Sequence, residues 1–339
     1  MELGFIAVGQ MHQLERALVT AQDGIIHSAF VSTVIMNNPS GGKDSSLVQC
    51  ILKELAEELS PYGFDISPFL SGWYDANISS KVRLGSDLAP YEDCLCICLI
   101  SSPQMFEKTF IPTVFDWCKE SGIESLDNVL KCLKTRFCGS RFLPGSDDPF
   151  DWTVFIRLQK ALSNSVQNLK LNLTPDESTK LNNAEWIPDY AIRPVTRLPY
   201  VHVQTAGHVS GMAYFHQPSD SIKKKGGSYS GVSLHPYYGG WFGFRGIYIF
   251  PNLRYPTLPR QNPLSPIYSE NEQLPDELLE HVLHEYNCCW NENKWRDYKL
   301  PDTIDHRYSS NALAYFSTPP SERVQFVRNW FARYKNIDQ

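Results

Sequence analysis

The sequence predicts an α+β chain, and three observations carry that reading. Leu47, Val48, Ile51, Leu52, Leu55 and Leu59 fall on one face at helical spacing over 46–59, with Gly63 to close the helix. Residues 64–70 and 94–100 read as strands. Further on, 231–235 and 241–250 are two β-rich runs around Gly239–Gly240, the pattern of a hairpin. Helices and strands do not alternate as a doubly wound parallel sheet requires.

Taken in order, 30–36 fits a strand. Ser40-Gly41-Gly42-Lys43-Asp44-Ser45 resembles a phosphate loop of ATP-using ligases. The missing alternation favours a plain helix entry there instead. After the strand at 64–70 comes the aromatic pair Trp73–Tyr74. Cys94, Cys96 and Cys98 alternate and so share one face of their strand. A metal site needs ligands converging from elsewhere as well, so a buried strand is the better reading. Helices are expected over 103–119, 125–138 and 152–171, with 139–151 and 172–183 as surface loops. Residues 185–194 return to an extended pattern. A proline-rich connection over 251–266 and a helix at 275–285 follow. The last helix is expected to start at Pro319–Pro320 with Thr318 as its cap, carrying Val324, Val327 and Phe331.

Composition narrows the function classes. The net charge of −6 over 339 residues gives no basis for nucleic-acid binding, and the run 223–225 is a solvated loop tip. No apolar run approaches a membrane span, and the N-terminus lacks a basic region before its apolar stretch, so neither an anchor nor a signal peptide is expected. Nine cysteines without a repeating spacing point to free thiols in a reducing, cytoplasmic protein. Dinucleotide-fold, zinc-protease, nucleophile-elbow and Cys-x-x-Cys motifs are all missing. So is the Asp-x-His-x-x-Gly by which some vitamin B12 enzymes offer histidine to cobalt. His208 comes nearest, and reads as a hydrogen-bonded histidine in a small-residue helix.

The chain is organised around 202–250. Ala206, Gly207, Ser210, Gly211 and Ala213 leave room for close approach, aromatic rings crowd both halves, and one cation, Arg245, interrupts an apolar strand. Such a stretch suits a walled pocket for a large flat ligand, or a core hairpin packed on a helix. Pattern alone leaves both open.

Four motifs carry a resemblance. Gln204-Thr205-Ala206-Gly207-His208-Val209-Ser210-Gly211 is the first, and His235-Pro236-Tyr237-Tyr238-Gly239-Gly240-Trp241-Phe242-Gly243-Phe244-Arg245-Gly246 the second. Tyr315-Phe316-Ser317-Thr318-Pro319-Pro320 and the stretch 62–69 complete the set. Together they resemble the cobalamin-processing proteins of the cblC complementation group. The likeness divides the chain into an N-terminal extension, 1–45, and a cobalamin-processing domain, 46–339, with a poorly matched insertion around 120–185.

The resemblance implies a modified flavin-nitroreductase-like α+β fold, a mixed or antiparallel sheet flanked by helices. It implies a protein that takes cobalamin base-off and removes its upper ligand in two ways. Cyanide leaves by reduction, with electrons from reduced FAD or FMN and ultimately NADPH; alkyl groups leave by attack of glutathione thiolate. The alternatives are a non-catalytic cobalamin carrier, or a flavin oxidoreductase that has lost the cobalamin site.

Cobalamin-contacting positions of the family match Asp189, Val201, His202, Val203, Gln204, Phe215, His216, Gln217, Ser233 and Phe244, and glutathione-binding arginines match Arg245, Arg296 and Arg323. No catalytic side chain and no protein ligand to cobalt are implied. Expected partners are a downstream cobalamin-trafficking protein, methionine synthase with its reductase, and a second copy of the chain.

Overall fold

The computed structural model describes residues 43–335 apart from 86, 122–125, 225–227, 264–274 and 299–305. The expected strand at 30–36 and the glycine loop to Gly42 lie outside the described residues. Helix α1 (Lys43–Leu59) buries the expected leucine face, each of its residues at most 3% exposed. A 3-10 turn, Ser60–Tyr62, leads to Gly63, whose φ of 76° is a left-handed value that glycine adopts without steric cost. Strand β1 (Phe64–Leu70) accepts Pro68 because it forms a sheet edge. Helix α2 (Ser71–Asp75) holds Trp73 and Tyr74, and β2 (Cys94–Ser101) is buried throughout.

A π turn at Phe106–Phe110 opens into α3 (Ile111–Ser121), followed by α4 (Leu126–Arg136), α5 (Pro149–Lys170), α6 (Pro175–Lys180) and β3 (Glu185–Ile187). Short elements follow: α7 (Val203–Val209), β4 (Tyr214–His216), α8 (Asp220–Lys224) and β5 (Val232–Leu234). Strand β6 (Gly243–Arg254) returns to the centre, and α9 (Asp276–Cys288), α10 (Ser310–Ser317) and α11 (Arg323–Lys335) complete the described chain.

The main sheet has the order β1-β2-β6-β3, antiparallel throughout. Period-two alternation sorts its side chains onto two cores. Leu95, Ile97 and Leu99 face α1 and α5, while Cys94, Cys96, Cys98 and Ile100 face α7 with Ala206 and Val209. The three cysteines do share a face, and burial holds the Cys98 thiol up at about 12. A thiol that is neutral near pH 7 packs there as a small apolar group.

Four expectations need correcting. The runs 231–235 and 241–250 do not form a hairpin with each other. The turn closes only as far as reciprocal hydrogen bonds between His235 and Gly239, 2.8 and 2.9 Å. Strand β5 then pairs with β4, while β6 finds partners on both edges in β2 and β3. Second, β6 runs through Pro251 to Arg254, so the proline-rich connection begins later. Third, 139–151 is not all surface loop. Asp148 caps α5 by accepting from the Phe150 N–H at 2.9 Å, Pro149 takes the first helical position, and all three residues are buried. Fourth, Thr318 ends α10 instead of starting the last helix: its hydroxyl donates back to the Ala314 carbonyl at 2.9 Å. The stretch 120–185 supplies α5, whose Trp152, Phe155 and Leu158 belong to the sheet's core.

Candidate functional site

The site turns on a β-bulge. Cys98 faces Ile247 and Ile100 faces Phe244, so β6 carries one residue more than β2 between these pairs. The extra length sits at Arg245–Gly246, where Gly246 has φ 95°. A Cβ on Gly246 would lie 2.0 Å from the Ile187 carbonyl oxygen, so only glycine fits. The bulge shifts the alternation. Ile247 and Ile249 face the α7 core, and without the bulge Arg245 would share their side. With it, Phe244 takes the α7 side and Arg245 turns to the Phe150 ring, 5.0 Å away. Trp186 Nε1 donates to the Arg245 carbonyl at 2.8 Å and fixes the displaced backbone.

Around Phe244 the structure assembles most of the expected cobalamin positions. A Cβ on Gly207 of α7 would lie 2.5 Å from the Phe244 ring, so glycine permits this contact. Tyr74 Oη accepts from the His202 N–H at 2.8 Å, anchoring the start of α7. His202 itself caps that helix, its Nδ1 accepting from the Thr205 N–H at 3.3 Å. Gln204 Nε2 donates to the Gly231 carbonyl at 3.0 Å, joining α7 to the segment before β5. Phe215 stands opposite Ser233 and His216 opposite Val232 across the β4–β5 pair. Val201 is buried, Val203 packs against the same core, and Gln217 is exposed at the end of β4. Ser233 Oγ is buried without a hydrogen-bond partner among the described residues. His208 Nδ1 accepts from the Phe215 N–H at 3.2 Å, as a structural histidine would. Burial lowers the pKa of His202, His208 and His216, His216 to about 4, so all three are neutral near pH 7.

Asp189 stands apart from this wall, on the arginine side. It is half-buried, and burial raises its pKa while the charge of Arg245 opposes the rise. Asp151 behaves alike: burial raises its pKa, a Ser146 hydroxyl donating at 2.7 Å lowers it, and Arg245 and Arg323 both act on it. Neither carboxylate lies within ion-pair distance of Arg245, whose Nε donates to Ser101 Oγ at 2.9 Å. The hydroxyl of Tyr190 is buried without a partner among the described residues, and its pKa is raised by burial and then by the charges of Asp189 and Asp151.

The three expected arginines lie along one run of aromatic rings. Arg296 sits over Trp295, Trp241 and Tyr308 at 4.4, 5.4 and 5.5 Å. Tyr308 meets Phe316 at 5.4 Å, and Phe316 meets Phe150 at 5.0 Å, the ring beneath Arg245. Arg323 lies over Tyr315 and Phe316 at 5.1 and 5.8 Å. Their charges are held differently. Arg323 is ion-paired with Asp148, which is 3% exposed and also accepts from the Tyr315 hydroxyl. Arg296 donates to Asn293 Oδ1 at 3.0 Å and to the Gly240 carbonyl, with no carboxylate partner among the described residues. Burial pulls its pKa down.

Asp148, Asp151 and Tyr190 were not singled out from the sequence. An Asp before a Pro at a helix start was the available signal for Asp148. Among the described residues, no group of three or more His, Cys, Asp or Glu is placed to hold a metal ion, and no helix is long and apolar enough to cross a membrane. An open surface groove between α5 and α6, lined by Gln159, Ser163, Gln167 and Asn182 among others, shares no residue with the site.

Comparison with known proteins converges on one family. A family model described as the methylmalonic aciduria and homocystinuria type C family matches residues 63–327. A cyanocobalamin reductase / alkylcobalamin dealkylase of Gallus gallus is 31% identical over 82% of this chain and 95% of its own. The protein of that name from Homo sapiens is 28% identical over 81% of this chain and 80% of its own. A crystal structure of a B12-trafficking protein, CblC, from C. elegans superposes with a TM-score of 0.62 at 27% identity, covering 84% of this chain and 97% of that one. With the antiparallel sheet flanked by helices and the match over most of its length, the chain belongs to the methylmalonic aciduria and homocystinuria type C family.

Proposed function

We propose that this protein binds cobalamin base-off and removes its upper ligand, as a cyanocobalamin reductase and alkylcobalamin dealkylase. The names of its relatives support the activity. One observation carries the site: Arg245, a cation with no carboxylate partner among the described residues, emerges beside Phe244 of the α7 wall. The proposed cobalamin contacts are Val201, His202, Val203, Gln204, Phe215, His216, Gln217, Ser233 and Phe244, with Asp189 at the border of the arginine side. His202 and His208 spend Nδ1 on backbone N–H groups, so neither offers that nitrogen to cobalt. A cobalt without a strong lower donor is easier to reduce.

For dealkylation the co-substrate is glutathione, with Arg245, Arg296 and Arg323 as its proposed contacts. Fixed guanidinium groups suit its carboxylates better than lysines would. The thiolate attacks the alkyl carbon, a sulfur–carbon bond forms, and the cobalt–carbon pair stays on cobalt, giving a thioether and cob(I)alamin. For decyanation, reduced FAD or FMN, recharged by NADPH, supplies the electrons when bound. Ser233 Oγ has an unused hydrogen bond for such a ring edge or for the amide rim of a corrin. A modified flavin-nitroreductase-like ancestry of the fold, cytoplasmic action, hand-over to a trafficking protein and to methionine synthase with its reductase, and a homodimer belong to the same proposal.

An absorbance titration with methylcobalamin, repeated with glutathione, tests it. A base-off spectrum at neutral pH that converts to reduced cobalamin only with the thiol is the expected result. A base-off spectrum without turnover leaves a carrier, and no spectral change removes the cobalamin site altogether.

A further inference from the structure

Among the nine cysteines of the chain, Cys288 and Cys289 are the only two adjacent in sequence. Cys288 is exposed as the last residue of α9, and Cys289 beside it is half-buried. Both are free thiols, and among the described residues no third His, Cys, Asp or Glu joins them in a metal-binding group. Neighbouring thiols that reach solvent have a reaction that a single one lacks. The first attacks a disulfide, and the second displaces what the first has captured.

The pair also begins an unbroken run of hydrogen bonds that ends on Arg296. The Cys289 N–H donates to the Glu285 carbonyl at 3.0 Å, and the Cys289 carbonyl accepts from the Glu292 N–H at 3.0 Å, opening the 3-10 turn Trp290–Glu292. The Trp290 carbonyl accepts from the Asn293 N–H and from Trp295 Nε1, both at 3.3 Å. Asn293 then holds Arg296 twice: its carbonyl accepts from the Arg296 N–H and its Oδ1 from the Arg296 Nε, both at 3.0 Å. The Arg296 carbonyl accepts in turn from the Gly240 N–H at 2.9 Å. Adjacent Cα atoms are about 3.8 Å apart across a trans peptide, while disulfide-linked Cα atoms usually stand about 4.4 Å apart or more. Joining the two sulfurs therefore displaces the backbone from which both Cys289 hydrogen bonds start. A bond formed under such constraint is readily reduced again.

We propose that Cys288 and Cys289 form a reversible redox site that reacts with low-molecular-weight disulfides such as glutathione disulfide. The Cys288 thiolate attacks one sulfur of the disulfide, a mixed disulfide forms, and the first thiol leaves. The Cys289 thiolate then attacks the Cys288 sulfur, the protein disulfide closes, and the second thiol leaves. The protein gives up two electrons and two protons, and the small disulfide is reduced to two thiols. The oxidised state loosens residues 290–296, so the ratio of disulfide to thiol sets how firmly Arg296 is held. The consequence for dealkylation rests on the proposed role of Arg296 with glutathione; the protein disulfide and its effect on the backbone do not.

The full chain is equilibrated with mixtures of glutathione and glutathione disulfide, its remaining thiols are trapped with N-ethylmaleimide, and the digest is weighed by mass spectrometry. The peptide holding Cys288 and Cys289 should be lighter by two hydrogens and should regain them with dithiothreitol. The exposed Cys50, Cys132 and Cys138, none with a cysteine next to it in sequence, serve as the comparison and should carry glutathione at most. Hydrogen exchange on the same samples should show the amides of Glu292, Asn293, Arg296 and Gly240 exchanging about tenfold faster after oxidation, on the order of one lost hydrogen bond. A protein carrying both Cys288→Ser and Cys289→Ser should show no such response. A glutathione adduct that persists on either residue, no reaction at ratios that modify Cys132, or a disulfide that leaves exchange unchanged overturns the proposal. In dealkylation of methylcobalamin at fixed glutathione, added glutathione disulfide should slow the unmodified protein more than the double variant, and equal slowing overturns the link to Arg296. Absence of any glutathione-dependent turnover removes the proposed function instead, and the first two measurements still decide the redox site.

Discussion

Replacing Gly246 by alanine attacks the device that aims Arg245. The new methyl would stand 2.0 Å from the Ile187 carbonyl oxygen and 2.8 Å from the Pro188 Cα, both backbone atoms that cannot step aside cheaply. The left-handed φ of 95° adds conformational strain of about 1–3 kcal/mol for a residue with a side chain. Overpacking against β3 adds about 1–3 kcal/mol, for a total near 2–6 kcal/mol. The contrast is Gly243→Ala on the same strand. There the added methyl meets Arg245 Nη2 at 2.6 Å, the far end of a flexible side chain. Stability should change by less than about 1 kcal/mol, while Arg245 is pushed off the Phe150 ring. Urea denaturation of both variants, with both activities measured on the same preparations, checks the pair. Gly246→Ala should lose stability, and Gly243→Ala should lose glutathione-dependent dealkylation with little loss of decyanation. If Gly246→Ala unfolds at the original midpoint and keeps dealkylation, the bulge does not direct Arg245.

Two further outcomes are expected. Arg323→Ala leaves Asp148 buried with only the Phe150 N–H and Tyr315 hydroxyl for company, and should destabilise the fold by about 3–5 kcal/mol, read as a lower melting temperature; decyanation should fall as well as dealkylation, unlike the response to Arg245→Ala. His216 titrates at about 4 in the fold against 6.5 in an unfolded chain, so the unfolded state binds more protons between those values. Stability should therefore fall as pH drops from about 6.5 to about 4, by roughly 3 kcal/mol from this residue, with smaller contributions of the same sign from His202 and His208. His216→Phe should flatten that limb in pH-dependent urea midpoints, and an unchanged slope would show that His216 does not titrate this way.

How much of this was legible depended on whether a pattern was local. The leucine face of α1 and the alternation of Cys94, Cys96 and Cys98 need only a period, and both stand in the structure as read. Strand pairing is not local. The runs at 231–235 and 241–250 carry ordinary hairpin chemistry, yet β5 and β6 are drawn to different sheets by partners far along the chain. The bulge at Gly246 was invisible for the same reason, since it exists only as a mismatch between β6 and β2. Asp148 was hidden by a boundary error of a few residues, which put a buried helix cap into a surface loop. Among the site residues, the motifs led to the α7 wall and the three arginines, but not to the Asp148 pair that distinguishes Arg323, nor to Asp151 and Tyr190.

Arg245→Ala, assayed for both activities and for melting temperature on one preparation, tests the central claim most directly. Losing a charge-assisted hydrogen bond to the peptide should cost dealkylation roughly ten- to a hundredfold in kcat/KM for glutathione. Decyanation does not use the peptide and should stay within about twofold, with a melting temperature close to that of the unmodified protein, because no carboxylate is ion-paired with Arg245 among the described residues. Equal losses of the two activities, accompanied by a lower melting temperature, would make Arg245 a structural cation and contradict the account.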